Sequence, residues 1–224
     1  EVSEKIVRNR LLSEGIQMSD QTKDSIKLAA TRLFYTNGYH GTSVRDIAKE
    51  ASVNSALISY YFGGKHVLFE TLLIEFFEGY IHSIEEAMRT SDGDLHQVLS
   101  QLFKRVFTYQ QSCHLLARMA HREMTMDSTL VREVMSTYLR KEQFLLEQVI
   151  QVHLSAKQIK RVPIDLTVLH LRNMLTLPFS SPQYLKELFL VAPDDHLFMR
   201  RYVTHAEQWM PSLLETKDVK RLHL

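Results

Sequence analysis

Cysteine, glycine and proline are scarce in this chain, and each scarcity removes a class of protein. One cysteine, Cys113, in 224 residues leaves no partner for an internal disulfide, so a small secreted scaffold stapled by bridges is excluded and a reducing compartment is expected. Seven glycines and five prolines are too few to punctuate a chain of short strands, and no alternating run flanked by turn residues persists, which leaves an all-α fold. No apolar run approaches the ~18 residues of a membrane span, and no charged-then-apolar segment opens the chain. Net charge is also missing. A formal +1 gives no global case for nucleic acid, so any such case rests on a local site.

What is present is concentrated between Thr42 and Lys65. Ser43 followed by Asp46 has the spacing of a capping box, with Asp in place of Glu or Gln. Val44, Ile47, Ala48 and Ala51 then fall at i, i+3, i+4 and i+7, one apolar stripe two turns long, while Arg45, Lys49 and Glu50 point away. Ser52, Val53 and Asn54 separate this helix from a second, Ser55 to Phe62, which Asn54 is suited to cap. Two short helices across so short a turn predict a helix-turn-helix. In such a motif the second helix enters the major groove. Ile58 and Phe62 would anchor it, leaving Asn54, Ser55, Ala56, Ser59 and Tyr60 outward, residues that can approach and hydrogen-bond base edges. Gly63, Gly64 and Lys65 open the next helix with free N–H groups beside an ammonium, a seat for a DNA phosphate, and Thr42 and Ser43 offer hydroxyls to the backbone. Between Gln21 and Lys65 six basic residues face three acidic ones.

These residues resemble the DNA-binding region of the TetR family of transcriptional regulators. Ile47-Ala48, Ala51, Val53, Tyr60 to Phe62 and Lys65 match its motif, while Ser52 replaces the usual turn glycine and Ser59 the first of the paired aromatics. The resemblance implies two domains, an N-terminal helix-turn-helix domain over 18–66 and a helical regulatory and dimerisation domain over 67–224. It also implies that the helix from Lys65 joins the two. Residues 1–17 are expected to be an upstream extension, disordered or non-native, because Met18-Ser19-Asp20 looks like a start; the alternative is an arm touching DNA through Lys5, Arg8 and Arg10.

Further on, helical periods continue to a last helix after Asp194-Asp195, with Pro178 expected to break the helix from Leu166. A homodimer is expected through Leu185, Leu188, Phe198, Tyr202 and Trp209, apolar residues of the last helices. The eleven histidines are scattered without ligand spacing, and adjacent Cys113 and His114 point ~100° apart on a helix. No nucleophile elbow or nucleotide loop occurs. The expectation is no enzyme, no metal and no cofactor. Phe103, Phe107, Tyr109, Met119, Met124, Met135 and Tyr138 form either plain core or the wall of a ligand cavity, the ligand being unknown. Arg105, Arg118, Arg122, Arg132, Arg140 and Lys141 form either a solvated face or a contact to DNA or to an acidic partner.

A longer likeness, from about Thr22 to near Trp209, is carried by His121 to Glu142, Ser59-Tyr60-Tyr61-Phe62 and Phe76-Phe77-Glu78-Gly79-Tyr80. It resembles members of the family from endospore-forming bacilli that bind chromosomal motifs and regulate the division protein FtsZ. The implied partners are double-stranded DNA, a second copy and FtsZ, with no membrane, in the cytoplasm and on the nucleoid. The implied output is chromosome placement and cell division during sporulation. A conventional ligand-released repressor, or a protein that contacts FtsZ directly and uses DNA as an address, are the alternatives.

Overall fold

The computed structural model describes residues 2–90, 95–125, 129–157, 163–192 and 195–214, with the backbone alone for 2–17, 129–131, 134, 152–157 and 210–214. Asp194, expected before the last helix, and the side chains of the N-terminal arm lie outside the described residues. Among the described residues the elements are all helices: α1 (Val2–Asn37), α2 (Val44–Glu50), α3 (Ala56–Phe62), α4 (Lys65–Arg89), α5 (Leu95–Ser112), α6 (His114–Glu123), α7 (Thr129–Lys157), α8 (Ile164–Ser180), α9 (Pro182–Phe189) and α10 (His196–Leu214). The chain divides into two compact units, Glu1–Ile74 and Glu75–Leu224.

In the first unit the core is built from the apolar faces of four helices. Ile26, Ala29, Ala30 and Phe34 of α1 are buried, as are Ile47 and Ala48 of α2, Ile58 of α3, and Leu68, Phe69, Leu72 and Leu73 of α4. Alanines at 29, 30 and 48 allow the short helices to approach closely, and the Phe34 ring meets Phe69 edge-on at 5.1 Å. Polar ties fix the periphery: Ser25 donates to the Ala51 carbonyl at 3.2 Å, and the Lys23 ammonium lies 5.6 Å from the centre of the Tyr61 ring.

The second unit packs α5 to α10 with the later turns of α4. Phe103, Phe107, Met119 and Met135 are buried, as are Phe76 and Tyr80 of α4, so these four members of the aromatic and methionine set are packed core. α8 differs from its expected course, because it runs through Pro178 to Ser180. Proline has no N–H to give the carbonyl four residues back, that of Met174. The Tyr202 hydroxyl of α10 donates to that carbonyl at 2.9 Å and supplies the missing bond. α4 carries a second close fit. The Tyr109 hydroxyl donates to the carbonyls of Phe76 at 2.9 Å and Glu75 at 3.2 Å, and its ring occupies the space that a Cβ on residue 79 would need.

Candidate nucleic-acid interface

α2 begins as the sequence predicts. Asp46 N–H donates to Ser43 Oγ at 3.2 Å, and Ser43 N–H donates to Asp46 Oδ2 at 3.0 Å. The Ser43 hydroxyl also donates to that oxygen at 2.6 Å, and these Ser43 bonds hold the Asp46 carboxyl below its usual range. The same bonds occupy the hydroxyl's one proton, which the sequence had assigned to a phosphate.

α2 ends in a Schellman turn. Val53 N–H reaches the Ala48 carbonyl at 2.9 Å and Ser52 N–H that of Lys49 at 3.2 Å, the pair of bonds that closes a helix on a left-handed residue. That residue is Ser52, with φ 55°. The turn then leads to Asn54, whose Oδ1 accepts the Ala56 N–H at 2.9 Å. Asn54 thus caps the helix as expected, although α3 itself starts one residue later, at Ala56. With its oxygen engaged, Asn54 keeps its amide N–H groups as donors.

On α3, Ile58 is buried and Phe62 half-buried, while Asn54, Ser55, Ala56, Ser59 and Tyr60 are exposed, Tyr60 by 78%. The five side chains expected to face out are each exposed. α3 closes on Gly63 and Gly64, both at positive φ (73° and 124°), a backbone conformation that glycine takes without steric cost and that turns the chain into α4.

Two predicted backbone contacts sit differently. Thr42 is 2% exposed and its hydroxyl donates to the Gly38 carbonyl at 2.9 Å and to that of Leu33 at 3.2 Å. Its side chain is a bolt between α1 and the loop, not a phosphate ligand. The Lys65 ammonium donates to the carbonyls of Tyr39 and Thr42 at 3.0 and 2.9 Å and lies 4.2 Å from the centre of the Tyr39 ring. Two of its three protons hold the loop that launches α2, which leaves one for an anion. The exposed cations that the sequence grouped here are Arg32, Arg45 and Lys49, with Arg32 3.7 Å from Glu50.

Of the expected dimer residues, Leu185 is buried within the chain, Tyr202 serves the Met174 carbonyl, and Phe198 is half-buried against Tyr202 at 5.8 Å. Leu188 and Trp209 are exposed. The apolar stripe missed in the sequence is on α8, where Leu166, Leu169 and Leu177 are 40–52% exposed at i, i+3 and i+11. Its helical period was visible, but which face lay outward was not.

A polar seam crosses the second unit. The Tyr80 hydroxyl donates to Glu142 Oε1 at 2.8 Å, and Arg172 Nε donates to Glu142 Oε2 at 3.1 Å. Burial, then the Glu142 charge, pushes the Tyr80 hydroxyl well up, so it stays a donor. His121 Nε2 lies 2.7 Å from Gln110 Oε1, whose amide donates to the Leu175 carbonyl at 2.9 Å. Burial lowers His121 to about 3, and its Nδ1 has no partner among the described residues. Burial raises the Cys113 thiol to about 11, which suits an inert side chain. Among the described residues, no group of His, Cys, Asp or Glu is arranged to hold a metal ion, and no helix is long and apolar enough to cross a membrane.

The profile described as bacterial regulatory proteins, tetR family, matches residues 26–72, the helices just described. A probable HTH-type transcriptional regulator of Bacillus subtilis (strain 168), YttP, is 39% identical over 203 residues, 90% of this chain and 98% of that protein. The chain belongs to the TetR family. It is a DNA-binding transcriptional regulator of that type, and its relatives are regulators rather than enzymes. The HTH-type transcriptional repressor NicS of Pseudomonas putida is 31% identical over 93 residues, 42% of this chain and 43% of the repressor. Solved TetR-like folds extend the likeness over the chain. The fatty acid degradation regulator FadR of Bacillus halodurans superposes with a TM-score of 0.69 at 20% identity, covering 88% of this chain and 97% of its own. FadR of Bacillus subtilis, solved with stearoyl-CoA, gives 0.66 at 18%, covering 87% and 98%.

Proposed function

We propose that the chain binds near-palindromic chromosomal motifs as a homodimer and, like RefZ, the sporulation-linked TetR-type protein it resembles, modulates FtsZ-dependent division and chromosome positioning. The observation that carries the DNA half is the open face of α3, where Asn54, Ser55, Ala56, Ser59 and Tyr60 are exposed together on a helix fixed at both ends. In this reading those residues select bases, Asn54 through its free amide protons and Ala56 through contact with a thymine methyl. The α4 N-terminus, Gly64 and the remaining Lys65 proton receive a phosphate. Dimerisation along the α8 stripe of Leu166, Leu169 and Leu177 is favoured because it is apolar, helical and outward. Two copies of α3 would then meet one face of the duplex about 34 Å apart.

Chromosome-wide mapping of bound sites tests this reading. Clustered motifs that flank one chromosomal region, with altered division on their deletion, are the expected result; occupancy confined to promoters would remove the division role. Whether FtsZ is touched directly is read by capture of purified FtsZ without DNA.

A second reading is release from DNA by a small molecule. It draws on the groove of about 430 Å³ between α7 and α8, where Leu139, Leu146, Val168 and Leu169 flank the Glu142–Arg172 pair. A compound that raises the melting temperature while lowering operator affinity would favour it.

A further inference from the structure

The side of α10 that faces α5 carries a cleft that the DNA reader leaves unused. It has a volume of about 350 Å³ and is lined at i, i+3, i+4 and i+7 along both helices. Phe107 and Met199 form a buried apolar floor. Glu207 lies two turns along α10 from Arg200, about 10 Å of helix, and its Oε1 is buried without a hydrogen-bond partner among the described residues. Lys104, His196 and Arg200 are exposed at the margin and make no ion pair among the described residues. The acid beside His196 in the chain, Asp195, is engaged elsewhere, its Oδ1 accepting the N–H groups of Leu197 and Phe198 at 2.9 and 3.0 Å. By the helical period Phe198 and Trp209 fall on the opposite side of α10, so contact with a second copy through them does not call on this cleft.

A carboxylate oxygen withdrawn from water costs free energy until a donor reaches it, and no group of the chain does so. The separation of this acid from the basic groups sorts the possible occupants. A simple anion would suit Arg200 but leave Glu207 without a donor. A simple cation would suit Glu207 but meet His196, Arg200 and Lys104 with like charge. An uncharged apolar molecule would cover the floor and answer neither end. A molecule with a positive donor at one end, an apolar middle and a negative group at the other answers all three. We propose that the α5–α10 cleft binds a small zwitterion, an extended amino acid whose ammonium and carboxylate stand at opposite ends of a short saturated chain. Its ammonium donates to Glu207 Oε1, its carbon chain lies on Phe107 and Met199, and its carboxylate meets Arg200 and His196. This site is separate from the α7–α8 groove, and it rests on neither reading of how DNA binding is regulated.

The probe is 6-aminohexanoate, with hexanoate and hexylamine as its two half-ligands, each titrated into the full chain carrying methyl-labelled methionine and followed by nuclear magnetic resonance. The Met199 methyl signal, assigned with Met199→Leu, is expected to shift saturably with 6-aminohexanoate. Each half-ligand should bind about ten-fold more weakly or worse, since it forgoes one charge-assisted contact. Glu207→Gln should bring 6-aminohexanoate down to the level of hexanoate. Arg200→Ala, at an exposed position, should bring it down to the level of hexylamine. Absence of a saturable shift at Met199 would overturn the assignment, as would equal binding of 6-aminohexanoate and either half-ligand by the unaltered chain. Survival of both preferences in both variants would do the same. A further control is Lys104→Gln, which should leave the melting temperature unchanged. A fall there, with Glu207→Gln falling equally, would show that the two residues satisfy one another and that no ligand is needed. Operator affinity of the Glu207 and Arg200 variants, measured without the probe, should match that of the unaltered chain, so failure of the cleft and failure of the DNA reading are separately visible.

Discussion

Ser52 occupies a position where the backbone favours glycine. Its φ of 55° completes the Schellman turn between α2 and α3, and a Cβ is crowded there. Ser52→Gly is expected to stabilise the chain by about 0.5–1 kcal/mol, the local relief being partly offset by a freer unfolded chain; a lower urea midpoint would show that the serine makes a compensating contact. The sequence showed where the turn lay and that a small residue replaced the family's glycine, but not that serine would adopt the left-handed conformation. His121 gives a prediction in pH. Its folded value, about 3, lies below the unfolded value of about 6.5, so below that unfolded value the unfolded chain binds a proton that the folded chain refuses. Its contribution is therefore complete above about pH 6.5 and is lost as the pH falls toward 3. Near pH 5 the loss is about 2 kcal/mol. Replacing His121 by Gln keeps a donor for Gln110 and should remove that share of the acid sensitivity in urea titrations at pH 7.5 and 5. An unchanged slope would place the titration elsewhere.

Elements show why some of the fold was legible and some was not. The capping box, the two-turn stripe and the anchor Ile58 are local patterns, and the sequence states them. Pro178 is the counter-example, because its effect on α8 depends on a hydroxyl 28 residues away in the order Met174 to Tyr202. Tyr202→Phe should cost about 1–2 kcal/mol by leaving the Met174 carbonyl without its donor. Pro178→Ala restores an N–H to the helix, so in that background the tyrosine change should cost much less. Additive costs in the double variant would disconnect the two residues. Gly79 makes a similar point on α4. Alanine ordinarily favours a helix by about 1 kcal/mol over glycine, yet Gly79→Ala is expected to lower the melting temperature, since the new methyl meets the Tyr109 ring. Lys65 joins two roles in one side chain. Lys65→Ala should lower the affinity for all DNA sequences alike and also destabilise the loop it holds, whereas a loss confined to the cognate motif would assign it to base selection.

At the scale of the molecule, the α8 stripe is the part with most to explain. Leu166→Lys combined with Leu169→Lys should shift sedimentation toward the monomer and make operator binding steeply concentration-dependent, because a monomer brings one α3 where a dimer brings two. A variant that remains dimeric would move the interface to other helices, Trp209 of α10 being the next exposed aromatic. Two of the residues expected at the interface are occupied within the chain for a physical reason. Helical periodicity finds apolar faces but does not say which of them the chain covers for itself, and Leu185 and Tyr202 are consumed internally. The division into units has a further effect, on biosynthesis. The buried seam of the second unit joins Tyr80 to Glu142 and Glu142 to Arg172, so it reaches across 92 residues from Tyr80 to Arg172, whereas the longest tie of the first unit described above, Lys23 to Tyr61, spans 38. A ribosome that has delivered the chain to Ile74 has already released every described partner of the reading head's core, about a hundred residues before Arg172 emerges to complete the other half.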